Sequence, residues 1–294
     1  MRWWTYQKER FPIFQHGPLV AAFSSCAVSY SSMLTGEPPV WQSFVVAFTT
    51  CLLFFLQLRI ADEFKDAEED ATYRPYRAVP RGLVQLKELG FVFIAAALIQ
   101  LALALLYSPE LGIVLIIAWV YLALMSVEFF ARDWLKARPI TYLWTHMLIM
   151  PIVDFYATAC HWIPSGQKPW MGLAFFLAAS FWNGLVIEIG RKLRQPDGEE
   201  AGVPTYSKLW GLQKAAWVWF FCLLTTTIFA SLAASLIDFT LPVIASLSLI
   251  LLWALKVVIE SKHTQAKTFE LLSGVWTLIL YLSLGIIPLI IHAS

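Results

Sequence analysis

The chain has 294 residues, 59% of them apolar and only 14% charged, more hydrophobic surface than one soluble core of this length could enclose. A formal net charge of +1 offers no basic excess of the kind that draws nucleic acid, so no nucleic-acid partner is expected. The expected solvent is a lipid bilayer.

The first fifteen residues form a basic arm rich in tryptophan, expected to lie in the membrane interface with Trp3, Trp4 and Tyr6 among headgroups and Lys8 and Arg10 facing anionic lipid. The apolar run behind it is of span length, so the arm is not read as a cleavable signal. Stretches long enough to cross ~30 Å of hydrocarbon then recur near 18–35, 40–61, 89–107, 111–131, 141–160, 170–190, 214–236, 240–259 and 271–291. The fold class predicted is an all-α polytopic membrane bundle of about nine transmembrane helices, one membrane domain over 1–294 with polar connections at 62–88 and 191–213. Twenty of the twenty-one Lys and Arg fall in the arm or beside the connections after the second, fourth, sixth and eighth spans, with Lys168 alone on the other side. That asymmetry assigns the N-terminus and these connections to the cytoplasm of an integral membrane protein. Cys26, Cys51, Cys160 and Cys222 stand singly in apolar runs and read as packing residues.

The connection after the second span is acidic, then basic. With no breaker before Pro75 its acidic half is predicted to continue the helix, aligning Asp62, Asp66 and Asp70 on one face with Glu63 beside them. Like charges at that spacing repel, and a divalent cation would reverse the sign. Oxygen ligands of this kind suit Mg²⁺, which completes its shell with water and phosphate oxygens. The competing reading is a solvated helix end laced by Arg59–Glu63 and Lys65–Glu69 pairs. Arg74, Arg77 and Arg81 follow on a turn stiffened by Pro75 and Pro80 and closed by Gly82, and metal opposite guanidinium is what a diphosphate requires.

Within the fifth span His146 and Asp154, eight positions apart, share roughly one helix face, where they could orient an acceptor, take its proton or bond between helices. Asn183 in the sixth span reads chiefly as a packing residue, with the acceptor chamber as the alternative. Glu188 lies on the last turns of that apolar span and needs a partner, which Arg191 and Lys192 could supply. Asp197, Glu199 and Glu200 follow Pro196 in a loop before the seventh span.

These residues resemble the UbiA superfamily of intramembrane prenyltransferases. That family has nine spans and two acidic motifs, on the connections after the second and sixth, the first written Asn-Asp-x-x-Asp-x-x-x-Asp. The matching positions here read Asp62-Glu63-Phe64-Lys65-Asp66-Ala67-Glu68-Glu69-Asp70, followed by Arg77-Ala78-Val79-Pro80-Arg81-Gly82 where the family has Arg-Pro-x-Pro-x-Gly. Lys136 to Thr141, with Arg138 and Pro139, resembles the family's basic stretch before the fifth span. The second motif departs from the pattern. Where the family has Asp-x-x-x-Asp this chain has Glu188 to Lys192, although Gly202-Val203-Pro204-Thr205 is similar to the family's Gly-x-x-Thr.

The resemblance implies a Mg²⁺-dependent enzyme acting on an isoprenyl diphosphate, with metal ligands among Asp62, Glu63, Asp66, Asp70, Glu188, Asp197 and Glu199. It implies that Arg77, Arg81, Lys136, Arg138 and Arg191 grip the diphosphate, and that the prenyl group passes to an aromatic or other lipophilic acceptor. Asp62, Asp66, Glu188 and Lys192 are the residues expected to carry the chemistry. Either Asp197, Glu199 or Glu200 folds back to hold a second cation, or Lys192 replaces that cation with its own charge. Two other readings stand beside this one: a family member that cyclises the isoprenoid without an acceptor, and a transporter, for which charges along a path through several spans are expected instead of one charged end.

Overall fold

The structure is a computed structural model and describes residues 1–293. It is all helical among those residues, running α1 (Arg2–Arg10), α2 (Ile13–Thr35), α3 (Trp41–Lys65), α4 (Ala67–Tyr73), α5 (Leu86–Tyr107), α6 (Leu111–Ser126), α7 (Arg132–Lys136) and α8 (Pro139–Met147). After these come α9 (Ile149–Trp162), α10 (Leu173–Gly190), α11 (Tyr206–Trp210), α12 (Leu212–Ser235), α13 (Thr240–Ile259), α14 (Ala266–Tyr281) and α15 (Ile287–Ala293). Seven helices are long and apolar enough to cross a bilayer, α8 with α9 and α14 with α15 each counting as one. The other two expected spans coincide with α2 and α6. α2 has span length but carries a row of serines, and α6, with 16 residues, reaches only ~24 Å, so length and composition support seven of the nine.

The helices run alternately up and down, so the ends of α3, α6, α10 and α13 meet the starts of α2, α5, α8, α12 and α14 at one end of the bundle. α2, α9, α10 and α14 bury most of their surface, whereas α5, α6, α12 and α13 turn rows of Ile, Leu and Phe outward, among them Leu98, Ile117, Phe221 and Leu252. A stripe of exposed apolar residues is the surface a bilayer solvates, so these helices are lipid-facing.

Three local departures from the sequence expectation shape the site. α3 stops at Lys65, and Asp66, with φ −96° and ψ 7°, separates it from α4; the Asp66 and Asp70 N–H groups still bond the carbonyls four residues back, but Asp70 is buried and Asp62 partly exposed. The fifth span breaks at Leu148, because Pro151 has no N–H for the Met147 carbonyl and its ring crowds that turn. His146 and Asp154 therefore lie on two helix segments. The fourth span ends at Ser126, short of the expected 131, in a turn whose Glu128, Phe129 and Phe130 have φ of 50°, 54° and 57°. Left-handed backbone costs non-glycine residues roughly 1–2 kcal/mol each.

The arm is a helix, as expected, but it is not free in the interface. Tyr6 is buried in a small cluster with Ile60, Ala78, Val84 and Leu89, and Arg10 is bonded to Glu63 in place of lipid. Trp3 and Trp4 remain exposed, with Lys8 over the Trp4 ring. The four cysteines are free and buried.

Candidate functional site

The two polar connections meet at one end of the bundle. Gly202, at φ +71°, lies against Tyr73, where an added Cβ would come within 2.4 Å of the ring, and the Tyr76 hydroxyl donates to Glu200 at 3.0 Å. Beneath them, the ends of α3 and α10 bring Arg191 within electrostatic range of Arg59 and Asp62 and together form a charged mouth.

On the α3 side Asp62 is about a third exposed, with Arg59 and Lys65 each at 3.7 Å from one of its oxygens. These pairings replace the expected Arg59–Glu63 and Lys65–Glu69 ones. Burial raises the Asp66 carboxyl above the ordinary range against the opposing pull of Lys65, and Asp62, Asp70 and Glu69 add to the rise. Lys65 also donates to the Tyr142 hydroxyl at 3.0 Å, which ties α8 to the mouth. Glu63 and Asp70 are buried and already neutralised, Glu63 by Arg10 and Asp70 by Arg74 at 2.9 Å and Arg77 at 2.7 Å.

On the α10 side the Glu188 oxygens are both occupied, one by Lys192 at 2.7 Å and the other by Arg191 at 2.5 Å. Glu188 in turn raises Arg191 further above its ordinary value, the dominant influence on that group. The Lys192 ammonium lies 5.8 Å from the centre of the Tyr206 ring. Asp197 is on an exposed turn and lines an outer cleft of about 720 Å³ with Gln195, Trp210 and His263. Glu199 accepts from the hydroxyls of Thr205 and Ser207 at 2.7 Å and so braces its own loop.

The cations expected to grip diphosphate are mostly engaged elsewhere. Arg77 holds Asp70, Arg81 donates to Glu9 at 2.8 Å, Lys136 to Glu69 at 2.7 Å, and Arg138 lies over Trp134. Arg191 alone of that set is at the mouth. The residue that sequence reasoning passed over is Arg59, whose Nε is buried without a hydrogen-bond partner and which lies within electrostatic range of Arg191, Arg10, Asp62 and Glu63. One α-helical turn before the acidic run, it reads in sequence as a span-flanking charge. Glu128 was also missed. It is buried on the left-handed turn with Oε2 unpartnered, within electrostatic reach of Tyr142, and no glycine marks that turn in the sequence.

Below the mouth, His146 Nδ1 is 2.8 Å from the Tyr142 carbonyl, an acceptor, so the proton is on Nδ1 and Nε2 presents a lone pair with no partner. Deeper, Asp154 accepts from Tyr281 at 3.3 Å and Asn183 from Thr277 at 3.1 Å, while Asp154 Oδ1 and Asn183 Nδ2 are buried and unpartnered. Among the described residues no three His, Cys, Asp or Glu side chains gather closely enough to hold a metal ion unaided. Asp62 and Asp66 nevertheless fit Mg²⁺ in its usual form, one or two carboxylates with substrate phosphates and water filling the shell.

Fold and site together define an integral membrane helical bundle whose acidic and basic groups converge at one end of apolar spans. The chain matches the UbiA prenyltransferase family over residues 22–291, and it belongs to that family. Solved structures agree on the fold. A UbiA homologue from Aeropyrum pernix K1 superposes with a TM-score of 0.71 at 12% identity, over 93% of this chain and 98% of that one. A UbiA homologue from Archaeoglobus fulgidus bound to DMAPP and Mg²⁺ gives 0.58 at 12% identity, over 95% and 98%. A digeranylgeranylglyceryl phosphate synthase structure gives 0.62 at 16% identity, over 99% and 98%. No curated protein matches the chain.

Proposed function

We propose that the protein is a Mg²⁺-dependent prenyltransferase that ionises an isoprenyl diphosphate at this mouth, on the cytoplasmic side, and transfers the prenyl group to a lipophilic or aromatic acceptor. The observation that carries the reading is that Arg59 and Arg191 lie within electrostatic range of each other at one end of the bundle, with Lys192 next to Arg191 and Lys65 next to the loosely paired Asp62 and to Asp66. Like charges held together at the end of apolar helices are stabilised by an anion between them, and a diphosphate supplies one of the right size. Asp62 and Asp66 would hold Mg²⁺, which when bound would supply Lewis-acid neutralisation of the leaving group.

Arg59, Arg191 and Lys192 hold the diphosphate oxygens while the allylic C–O bond breaks, its electron pair leaving with the diphosphate. The prenyl tail extends between the buried helices, where the bilayer-embedded walls exclude water from the carbocation and aromatic faces can stabilise it. The acceptor forms the new bond and gives up a proton, which the unpartnered lone pair on His146 Nε2 can take. Asp154 and Asn183 then orient the acceptor or close the chamber by bonding between helices.

Purified protein in nanodiscs, given labelled isoprenyl diphosphates of several lengths, Mg²⁺ and candidate lipid acceptors, should release diphosphate and yield a prenylated product. Diphosphate release with a cyclised hydrocarbon as product would replace transfer by cyclisation. No release from any diphosphate would refute the proposal.

A further inference from the structure

Resting on that proposed diphosphate chemistry, we infer that the site takes a single divalent cation per diphosphate, on the Asp62 and Asp66 side, and that Arg191 and Lys192 provide on the α10 side the charge a second cation would bring. The inference begins with Glu188. A carboxylate ligates Mg²⁺ through a free oxygen lone pair in a nearly octahedral shell. Glu188 has Lys192 at 2.7 Å on one oxygen and both Nε and Nη2 of Arg191, at 2.6 and 2.5 Å, on the other. A cation there would have to displace two cations of the chain itself.

None of the three other carboxylates on this connection lies free beside Glu188: Glu200 accepts from the Tyr76 hydroxyl at 3.0 Å. Glu199 is committed to Thr205 and Ser207, and Asp197 faces the outer cleft. The arrangement is also anchored. Gly190 brings α10 so close to α14 and α12 that an added Cβ would lie 2.1 Å from Ser273 Oγ and 3.0 Å from Trp219 Nε1, and Trp219 donates to Ser273 at 3.0 Å. The Tyr206 backbone N–H bonds the Lys192 carbonyl at 3.3 Å, and the Tyr206 ring lies under the ammonium. Lys192 is thus held at the mouth through its backbone carbonyl and through its ammonium.

The charge arithmetic points the same way. Glu188, Arg191 and Lys192 together carry one net positive charge without any metal. Two carboxylates with one Mg²⁺ would carry none. Lys192 spends one N–H on Glu188, leaving two donors, and Arg191 keeps its Nη1 hydrogens, so both can still donate to a diphosphate. As the C–O bond breaks, these donors meet the developing charge without a metal having to be recruited on that side.

The test counts metal ions. Nanodisc-embedded protein is titrated with Mn²⁺ in the presence of a non-ionisable isoprenyl thiodiphosphate, and bound Mn²⁺ is counted by electron paramagnetic resonance. One Mn²⁺ per diphosphate is expected, and two would overturn the inference. Calorimetric affinity for the thiodiphosphate separates the partners. Lys192→Ala should weaken it by about tenfold to a hundredfold, the range for a lost charge-assisted hydrogen bond. Glu188→Gln, which frees both cations, should hold one Mn²⁺ and bind the diphosphate at least as tightly as wild type. A Glu188→Gln variant that remains folded by melting temperature yet loses a Mn²⁺ would make Glu188 a metal ligand and sink the idea. Failure of wild type to bind any thiodiphosphate would remove the prenyltransferase reading itself, an outcome distinct from binding with two metals.

Discussion

Asp62 and Asp70 are two acids of one short run, and the structure gives them different work. Asp70 is buried between Arg74 and Arg77, so Asp70→Ala strands two guanidinium groups and should destabilise the protein by about 3–5 kcal/mol. Asp62 is partly exposed and loosely paired, so Asp62→Ala should change stability by less than about 1 kcal/mol. Its loss, or that of Asp66, should nonetheless slow diphosphate release by about a hundredfold or more. Melting temperature and release rate measured on the same preparations separate the two kinds of residue. A parallel contrast holds for cations: Arg59→Ala should weaken diphosphate binding by about tenfold or more, whereas Arg138→Ala, which loses a contact with Trp134 away from the mouth, should leave it within about twofold. The sequence shows which acids and bases are near the mouth, because both motifs flank apolar spans. Spacing shows the local pairs, such as Glu188 with Arg191 and Lys192, but not those made across elements. These depend on Arg10 arriving from the arm at Glu63 and on Asp70 turning inward, contacts between elements that no local spacing encodes.

At the scale of elements, span positions follow from hydropathy, whereas their interruptions follow from single residues. Pro151 foretells the break in the fifth span once its missing N–H is traced to the Met147 carbonyl. The pause at Asp66 and the left-handed turn at Glu128–Phe130 have no proline or glycine to announce them, and tertiary packing alone holds that backbone. Gly190 is the element-scale residue on which the site depends most. Gly190→Ala must push α10 away from Ser273 and Trp219, an overpacking expected to cost about 1–3 kcal/mol and to move Glu188, Arg191 and Lys192 together. Diphosphate affinity should fall along with melting temperature. Smaller residues opposite should restore both, so the double variant Gly190→Ala with Ser273→Gly is expected to bind diphosphate better than Gly190→Ala alone, and no such recovery would show that the contact does not position the mouth.

For the whole molecule, the alternation of helices fixes which connections share an end, and the proposal that this end is cytoplasmic rests on the distribution of Lys and Arg. Hydropathy made the bundle legible. It left the two least apolar or shortest helices, α2 and α6, as the doubtful spans, because α2 buries its serines against other helices and α6 is shortened by the turn at Glu128. Topology therefore needs a measurement that does not depend on hydropathy. Pro75, in the turn between α4 and α5, and Gln167, between α9 and α10, are both exposed and lie at opposite ends of the bundle. The native cysteines are buried, so a single introduced thiol is the one a bulky, impermeant maleimide should reach in the folded protein. Pro75→Cys should react in inside-out vesicles and stay protected in right-side-out ones, and Gln167→Cys should show the reverse. If α2 or α6 failed to cross, the parity of the spans between these two positions, or between the arm and Pro75, would change. Labelling of both thiols from one face would then place an even number of crossings between them, where three are expected. A third thiol, Lys8→Cys on the arm, distinguishes the helices. Because α3 is long and apolar enough to cross, reaction of Lys8→Cys on the same face as Pro75→Cys means that α2 crosses as well, and reaction on the opposite face would mean that α2 lies within the membrane without spanning it.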